Sequence, residues 1–373
     1  MERLDVKIPG REYPVYVGRG IYGEILQGLL HGLKPGKVAV VSHPSILELH
    51  GQYLMDTIAA HKKSPVDVLT FTFPEGEEQK NLKTLEDGYR FLLNHEFTRE
   101  DVLVAFGGGV VGDLAGFLAS SYYRGIPYLQ IPTTLMAMVD SSVGGKVGVD
   151  LPGAKNAVGA FYQPQAVVCD VEVLQTLTKR EYGSGLAEVA KYGFLFDQDL
   201  LEELETSKPL SPRYEMDQEA IVGSCVAHKA RVVASDERDV SGERALLNYG
   251  HTFGHALESA THYRLMRHGE AVAIGMIMAA EAAAKAGMAG PELQEKHRKI
   301  LKPLLGEVNL TAGLGSDALM EDMKADKKRG EEIRFVLLEG LQRPRLVDSL
   351  PEEIVEEAIT EVMAEMRRAE RCH

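Results

Sequence analysis

The run Asp101-Val-Leu-Val-Ala-Phe106, passing directly into Gly107-Gly-Gly-Val-Val-Gly-Asp113, constrains the fold more than any other stretch. A short apolar run rich in β-branched residues and closed by glycines reads as a strand buried on both faces. Such strands belong to parallel sheets, whose neighbours are joined by helical crossovers. The first half of the chain supplies the partners. Residues 4–8 and 13–17 read as short strands and 21–30 as a helix. Residues 37–42 form another strand run, with a helical pattern over 45–60. A β-rich run over 66–73, a turn at Pro74-Glu-Gly-Glu77, a helix over 81–94, and runs at 127–131 and 166–169 continue the alternation. A mostly parallel sheet with helices on both faces is expected.

After about Lys179 the β-branched runs largely stop. Helical spacing takes over near 181–196, 215–235, 245–262, 269–287 and 350–369, with one late strand over 333–338 facing 345–347. At 373 residues the chain exceeds one ordinary core, so two domains are expected: an α/β domain over 1–179 and a helical domain over 180–373. The net charge of -14 argues against nucleic acid, which demands clustered Lys and Arg, but leaves room for a local basic pocket. Cys169, Cys225 and Cys372 make no C-x-x-C pair, which suits a reducing cytoplasm. The N-terminus lacks a signal-peptide core, and the most apolar run, 271–280, is too short to span a bilayer. A cytoplasmic protein off the membrane is expected.

Chemistry concentrates in three places. At Gly107 to Asp113 glycines stand where a strand becomes a helix. That is the arrangement in which backbone N–H groups and the helix dipole receive a phosphate, although a tight turn has the same composition. Arg124, Pro132-Thr-Thr134, Asp140-Ser-Ser-Val-Gly-Gly-Lys-Val-Gly148 and Gly153-Ala-Lys-Asn156 set single cations among small residues, a mould for phosphates and hydroxyls or else solvated surface. The third place is Asn248-Tyr-Gly-His-Thr-Phe-Gly-His-Ala-Leu-Glu258 with His268-Gly-Glu270. His251 and His255, four apart, share a helical face, and His268 opens a buried apolar run. With Arg244, Asn248 and Glu270 nearby they suggest a metal or proton-transfer site rather than core histidines. Glu188, among apolar neighbours, would complete an N/O ligand set with two of the three histidines, and Lys191 shares its face. Thr252 stands where a zincin helix carries its general base, so a protease is not supported.

In order and spacing, these strings resemble the 3-dehydroquinate synthase family of sugar-phosphate cyclases. The resemblance also runs through Glu75-Gly-Glu-Glu-Gln-Lys80, Gln130-Ile-Pro-Thr-Thr-Leu135, Leu186-Ala-Glu-Val-Ala-Lys-Tyr-Gly193 and Asp326-Lys-Lys328. It implies a Rossmann-like NAD-binding domain followed by a helical domain that binds a divalent metal, zinc or cobalt. It further implies a cytoplasmic homodimeric lyase of the shikimate pathway to aromatic amino acids. The substrate would be 3-deoxy-D-arabino-heptulosonate 7-phosphate. It would be transiently oxidised by NAD, lose phosphate, be reduced, open its ring and close a carbocycle by intramolecular aldol addition.

Carried onto this chain, the metal ligands would be Glu188, His251 and His268, with His255 a proton carrier. NAD would be lined by Glu75, Gly76, Glu77, Glu78, Gln79 and Lys80. The glycine loop would add Gly108, Gly109, Val110, Val111, Gly112 and Asp113, flanked by Thr133 and Thr134. Lys146 and Lys155, and the run Val173, Leu174, Gln175 and Thr176, would lie nearby. Arg124, Lys146, Asn156 and Lys327 would hold the phosphate. Asp140, Lys191, Lys229, Arg244, Asn248 and His255 would meet the rest of the substrate, and Lys146 and Lys191 would stabilise developing negative charge. Asp239 best matches the family's acidic proton-transfer position, although Val240 to Arg244 is offset by one residue from some members. Where the family often carries an Asp for the adenine ribose, this chain reads Ser42-His43-Pro44. Two neighbouring activities share the pattern: another sugar-phosphate cyclase, and a metal-dependent polyol dehydrogenase of the glycerol dehydrogenase type.

Overall fold

A computed structural model describes residues 1–60, 66–206, 216–240, 242–261, 265–306, 316–328 and 334–370. The first half contains β1 (Glu2–Val6), β2 (Tyr13–Gly18), α1 (Tyr22–Leu33), β3 (Lys37–Ser42), α2 (Pro44–Ile46), α3 (Gln52–Ala59), β4 (Asp67–Thr72) and α4 (Leu82–Asn94). It continues with β5 (Val102–Gly107), α5 (Gly109–Ser121), β6 (Tyr128–Pro132), β7 (Lys146–Leu151), β8 (Ala154–Phe161) and β9 (Ala166–Asp170). Then follow α6 (Lys179–Phe196), α7 (Gln198–Thr206), α8 (Gln218–Ser235), α9 (His251–Ala260), α10 (His268–Lys285), α11 (Pro291–Leu301), α12 (Ser316–Lys328), β10 (Phe335–Leu338), β11 (Pro344–Val347) and α13 (Glu352–Glu370).

The chain forms two compact units. The first, Met1–Leu177 with Asp217–Arg238, holds a seven-stranded sheet in the order β1-β2-β9-β6-β5-β3-β4. Only β1 runs antiparallel, at the edge; every other pairing is parallel. One face of β3 and β5, through Ala39, Val41, Leu103 and Ala105, packs on Leu85 and Leu92 of α4 and Leu114 and Leu118 of α5. Alternation sends Val38, Val40, Val102 and Val104 to the opposite face, so both faces of these strands are apolar. Among the described residues, the second unit, Thr178–Met216 with Asp239–His373, has the antiparallel β10–β11 hairpin as its only strands and is otherwise built on helices. α10 is its centre, buried over residues 269–283 and packed by α6, α9, α11 and α13.

Three features depart from the sequence reading. α8 belongs to the first unit, because it packs on β1 and β2. Residues 146–161, where no strand is expected from the sequence, form the antiparallel β7–β8 hairpin. Over 44–59 the helix passes through a π-turn, Leu47–Gly51. Ile333, the first residue of the expected late strand, lies outside the described residues. Among the described residues no helix is long and apolar enough to cross a membrane.

Candidate functional site

Strand order explains why segments far apart in the sequence share one edge. After β3 the chain moves out to β4, then returns to the other side of β3 with β5, so the winding reverses between β3 and β5. Loops leave the carboxyl ends of those strands in opposite directions and open a crevice, the usual ligand position in such sheets. The glycine loop leaves β5 at this point. The other segments expected at NAD follow the carboxyl ends of β4 (Glu75 to Lys80), β6 (Thr133, Thr134) and β9 (Val173 to Thr176). All five strands run parallel, so these loops lie along a single edge.

Local bonds lock that edge. Thr133 N–H donates to Gly107 O at 3.0 Å, and Thr134 Oγ1 accepts from Ala137 N–H at 3.1 Å. α5 starts with Gly108 as its cap residue, and no side chain caps it. The first-turn N–H groups of Gly109, Val110 and Val111 and the positive helix end are thereby left for an anion. Where an acidic ribose ligand was missing from the sequence, Ser42 Oγ donates to Phe106 O at 2.6 Å and His43 Nδ1 donates to Phe73 O at 3.0 Å. Glu75, from the β4 loop, accepts from Ser45 Oγ. Val173 and Leu174 are buried, while Thr176 meets His50 Nε2 through Oγ1 at 2.8 Å.

Lys80 ties three of these segments together. Gly76, at φ 117°, turns the chain into the short helix Glu77–Gln79. Lys80, 4 % exposed, then sends Nζ to Glu77 at 2.7 Å, Asn156 Oδ1 at 2.8 Å, Asp113 at 3.3 Å and Asp150 at 3.8 Å. Asn156 adopts a left-handed φ of 51°, and its N–H is held by Asp150 at 2.7 Å. Burial pushes the Asp113 carboxyl up to about 6, although Lys80 pulls the other way. Burial opposes the Lys80 charge, but Asp113 and Glu77 overcome it and raise its pKa. Lys80 is thus neutralised by carboxylates and acts as a knot, not as a bare cation.

Elsewhere in this unit, Lys229 of α8 is buried and reaches Asp140 O at 2.7 Å and Asp140 Oδ1 at 2.8 Å. Lys146 opens β7 and is exposed, Lys155 lies half-buried in β8, and Arg124 is exposed with a left-handed φ of 68°.

In the second unit glycines set the distances between helices. A Cβ on Gly269 would lie 1.9 Å from Ser184 O of α6. One on Gly275 would lie 2.1 Å from Gly250 O, just before α9. Only glycine permits α10 to approach both helices this closely. The approach sets His268, at the start of α10, beside Glu188 of α6 and His251 of α9. Their donor atoms fall within 4.8 Å of one another, with Glu188 Oε1 3.6 Å from His251 Nε2 and 3.7 Å from His268 Nε2.

The ring orientations decide what this cluster can hold. His251 Nδ1 donates to Tyr249 O at 3.2 Å, and His268 Nδ1 lies 3.4 Å from both oxygens of Glu258. Both Nδ1–H groups are engaged, so both Nε2 atoms present lone pairs toward Glu188. Burial, and then the charge of Lys191, hold His251 well below the ordinary imidazole range, so it is neutral at pH 7. Glu188 is fully buried; the Lys191 ammonium pairs with its Oε2, while Oε1 faces the two imidazoles with no hydrogen-bond partner. A buried carboxylate so under-satisfied, facing two imidazole lone pairs, fits a divalent metal.

His255 borders the cluster, its ring centroid 5.5 Å from His251 and 6.1 Å from His268, but it is exposed. Arg244 is buried at the head of the short helix Arg244–Asn248, Asn248 is exposed, and Asp239 is half-buried at a left-handed φ of 59°. The Lys327 side chain lies outside the described residues. Glu270 is not part of the cluster: it accepts the Arg267 N–H at 2.7 Å and pairs with Arg180 at 2.7 and 2.8 Å, fastening the start of α10 to α6. The sequence reading missed Glu258, Asp150 and Gly269. Glu258 carried a signal, standing seven residues after His251 and three after His255 on the same helical face.

Comparison with known proteins covers both units. Residues 70–184 match the family described as 3-dehydroquinate synthase N-terminal, and 185–329 the family described as 3-dehydroquinate synthase C-terminal. A 3-dehydroquinate synthase of Nitrosospira multiformis is 42% identical over 358 residues, covering 95% of this chain and 96% of its own. One of Crocosphaera subtropica is 38% identical over 364 residues, covering 96% and 98%. Among solved structures, 2-deoxy-scyllo-inosose synthase complexed with carbaglucose-6-phosphate, NAD+ and Co2+ superposes with a TM-score of 0.82 at 25% identity, covering 96% of this chain and 99% of the other.

Proposed function

Because the chain belongs to the 3-dehydroquinate synthase family, we propose that it converts 3-deoxy-D-arabino-heptulosonate 7-phosphate to 3-dehydroquinate and phosphate, as a lyase of the shikimate pathway. The observation that carries this reading is near-full-length likeness joined to a buried, under-satisfied Glu188 facing two oriented histidines. We assign NAD to the first unit and a divalent metal, zinc or cobalt, to the second. A solved relative of the same fold holds NAD+ and Co2+.

The glycine loop and its flanking segments would hold NAD, which would supply a transient hydride acceptor with no net oxidation. Glu188, His251 and His268 would hold the metal, which would supply a Lewis acid for a substrate hydroxyl. The protein's own groups position and exchange protons. His255 is exposed and outside the ligand set, which supports its taking up and returning a substrate proton at an imidazole nitrogen. Lys191 is assigned the task of stabilising an oxyanion as it develops, which its buried Nζ beside Glu188 supports, and Lys146 shares that task. Arg124, Lys146, Asn156 and Lys327 hold the phosphate. Asp140, Lys229, Arg244 and Asn248 orient the carbon skeleton, and Asp239 is a second proton carrier. The Lys229–Asp140 pair supports this grouping, since it joins two of these residues from opposite ends of the first unit. We further assign the chain to the cytoplasm as a homodimer, which sedimentation of the purified protein checks.

Purified protein with NAD and zinc is expected to release phosphate from the heptulosonate phosphate without net NADH. Net NADH from a simple polyol would replace this reading with a dehydrogenase. Turnover only of a heptulose 7-phosphate lacking the carboxylate would replace it with another cyclase. His268→Ala is expected to lose bound metal, whereas His255→Ala keeps metal and loses turnover. Metal analysis giving the reverse pattern would overturn the division of roles.

A further inference from the structure

Resting on the ligand set proposed above, the geometry points to a role for one further residue: Glu258 is the carboxylate that orients the metal ligand His268. Glu258 lies on α9, on the face that carries His251 and His255, and is 4 % exposed. Its neighbours Phe253, Ala256 and Leu257 are buried and apolar. A carboxylate in such surroundings is costly unless its oxygens accept hydrogen bonds. Both oxygens lie 3.4 Å from His268 Nδ1. The ring's other nitrogen, Nε2, is the one 3.7 Å from Glu188. An Nδ1–H shared with Glu258 fixes the tautomer that leaves a lone pair at Nε2, aims the ring at Glu188 and raises its basicity as a ligand.

A competing geometry exists, because donor atoms of His255, Glu258 and His268 also lie within 4.8 Å of one another. There Glu258 would itself be a ligand. The orienting role is favoured because Glu258 faces the nitrogen turned away from Glu188, whereas Glu188 Oε1 is buried, faces both Nε2 atoms and has no hydrogen-bond partner. His251 has the matching device in a different material, its Nδ1 held by the backbone carbonyl of Tyr249. Both histidines of the set are thus oriented through the same atom.

The test uses the full chain, with zinc affinity measured by chelator competition and the visible spectrum of the cobalt-loaded form. Glu258→Ala is expected to bind zinc about 10- to 100-fold more weakly and to shift the cobalt bands. Glu258→Gln keeps an acceptor oxygen without the charge and is expected to regain part of that loss. His255→Ala is expected to bind zinc as the parent does. Parent-like zinc affinity and an unshifted cobalt spectrum in Glu258→Gln and Glu258→Ala would overturn the proposal. So would a loss in His255→Ala as large as that in Glu258→Ala, which would make both residues ligands. If Glu258→Ala does not fold, the Gln variant and its cobalt bands decide the matter. Because the readout is metal binding, a parent protein that holds zinc but releases no phosphate would remove the assigned reaction without touching this comparison.

Discussion

His297 shows how far the support of one proposed metal ligand, His251, reaches. It is fully buried on α11, stacked on Phe194 with ring centroids 3.7 Å apart, and its Nδ1 donates to Leu293 O at 2.7 Å. Its Nε2 must then accept, and it takes the Tyr249 hydroxyl at 2.6 Å. Tyr249 in turn holds His251 through its own carbonyl. Burial pushes the His297 pKa from 6.5 down to about 3. Between these two values the unfolded chain binds a proton that the folded ring refuses. Its contribution to stability is therefore complete above pH 6.5 and falls as the pH drops toward 3, by at most about 1.4 kcal/mol per pH unit. We expect His297→Phe to make the acid limb of a stability-against-pH curve shallower across this window, as measured by urea unfolding. An unchanged slope would mean that the ring is already protonated in the folded protein.

At the scale of helices, closeness is set by missing side chains. Gly269→Ala forces a Cβ against the Ser184 backbone carbonyl, which cannot swing aside as a side chain would. We expect about 3 kcal/mol of lost stability and weakened zinc binding, because the start of α10 carries His268 away from Glu188. Gly28, exposed on α1 with nothing within 4 Å of its would-be Cβ, is the control. There Ala is expected to stabilise by about 0.5–1 kcal/mol. Thermal unfolding that ranks the two alike would remove the close-approach argument. Such glycines also mark what the sequence concealed. The strand into Gly107 and the spacing of His251 and His255 were legible because they rest on local periodicity. The β7–β8 hairpin was not: Gly148 faces Gly159, and Ala, Asn and Lys, poor strand formers individually, outnumber Val158 and Phe161 in β8. Its strands exist through pairing with each other. Nor could spacing show that Glu258 meets His268, since that depends on how α10 packs against α9.

The whole chain is less sequential than its pattern suggests. Periodicity changes near residue 179, but the chain returns to the first unit with Asp217–Arg238 before leaving it again. Helical spacing carries no mark of which core a helix joins, so this return was hidden. Its physical basis is specific. α8 buries Ile221, Val222, Cys225, Val226 and Val233, and it packs on β1 and β2. Charged contacts fasten the segment as well: Lys229 to Asp140, Glu237 to Arg11 at 2.8 Å, and Glu237 to Gln163 at 3.0 Å. A fragment ending at residue 179 would expose the apolar surface of β1 and β2 and leave Asp140 without its ammonium. Such a fragment is expected to melt early and broadly, and a peptide of residues 217–238 added in trans is expected to restore a sharp, higher transition. Identical melting with and without the peptide would show that the parallel sheet holds alone. The expected restoration would instead show that Lys229, proposed above to meet the substrate, joins the first unit only because the chain leaves it and comes back.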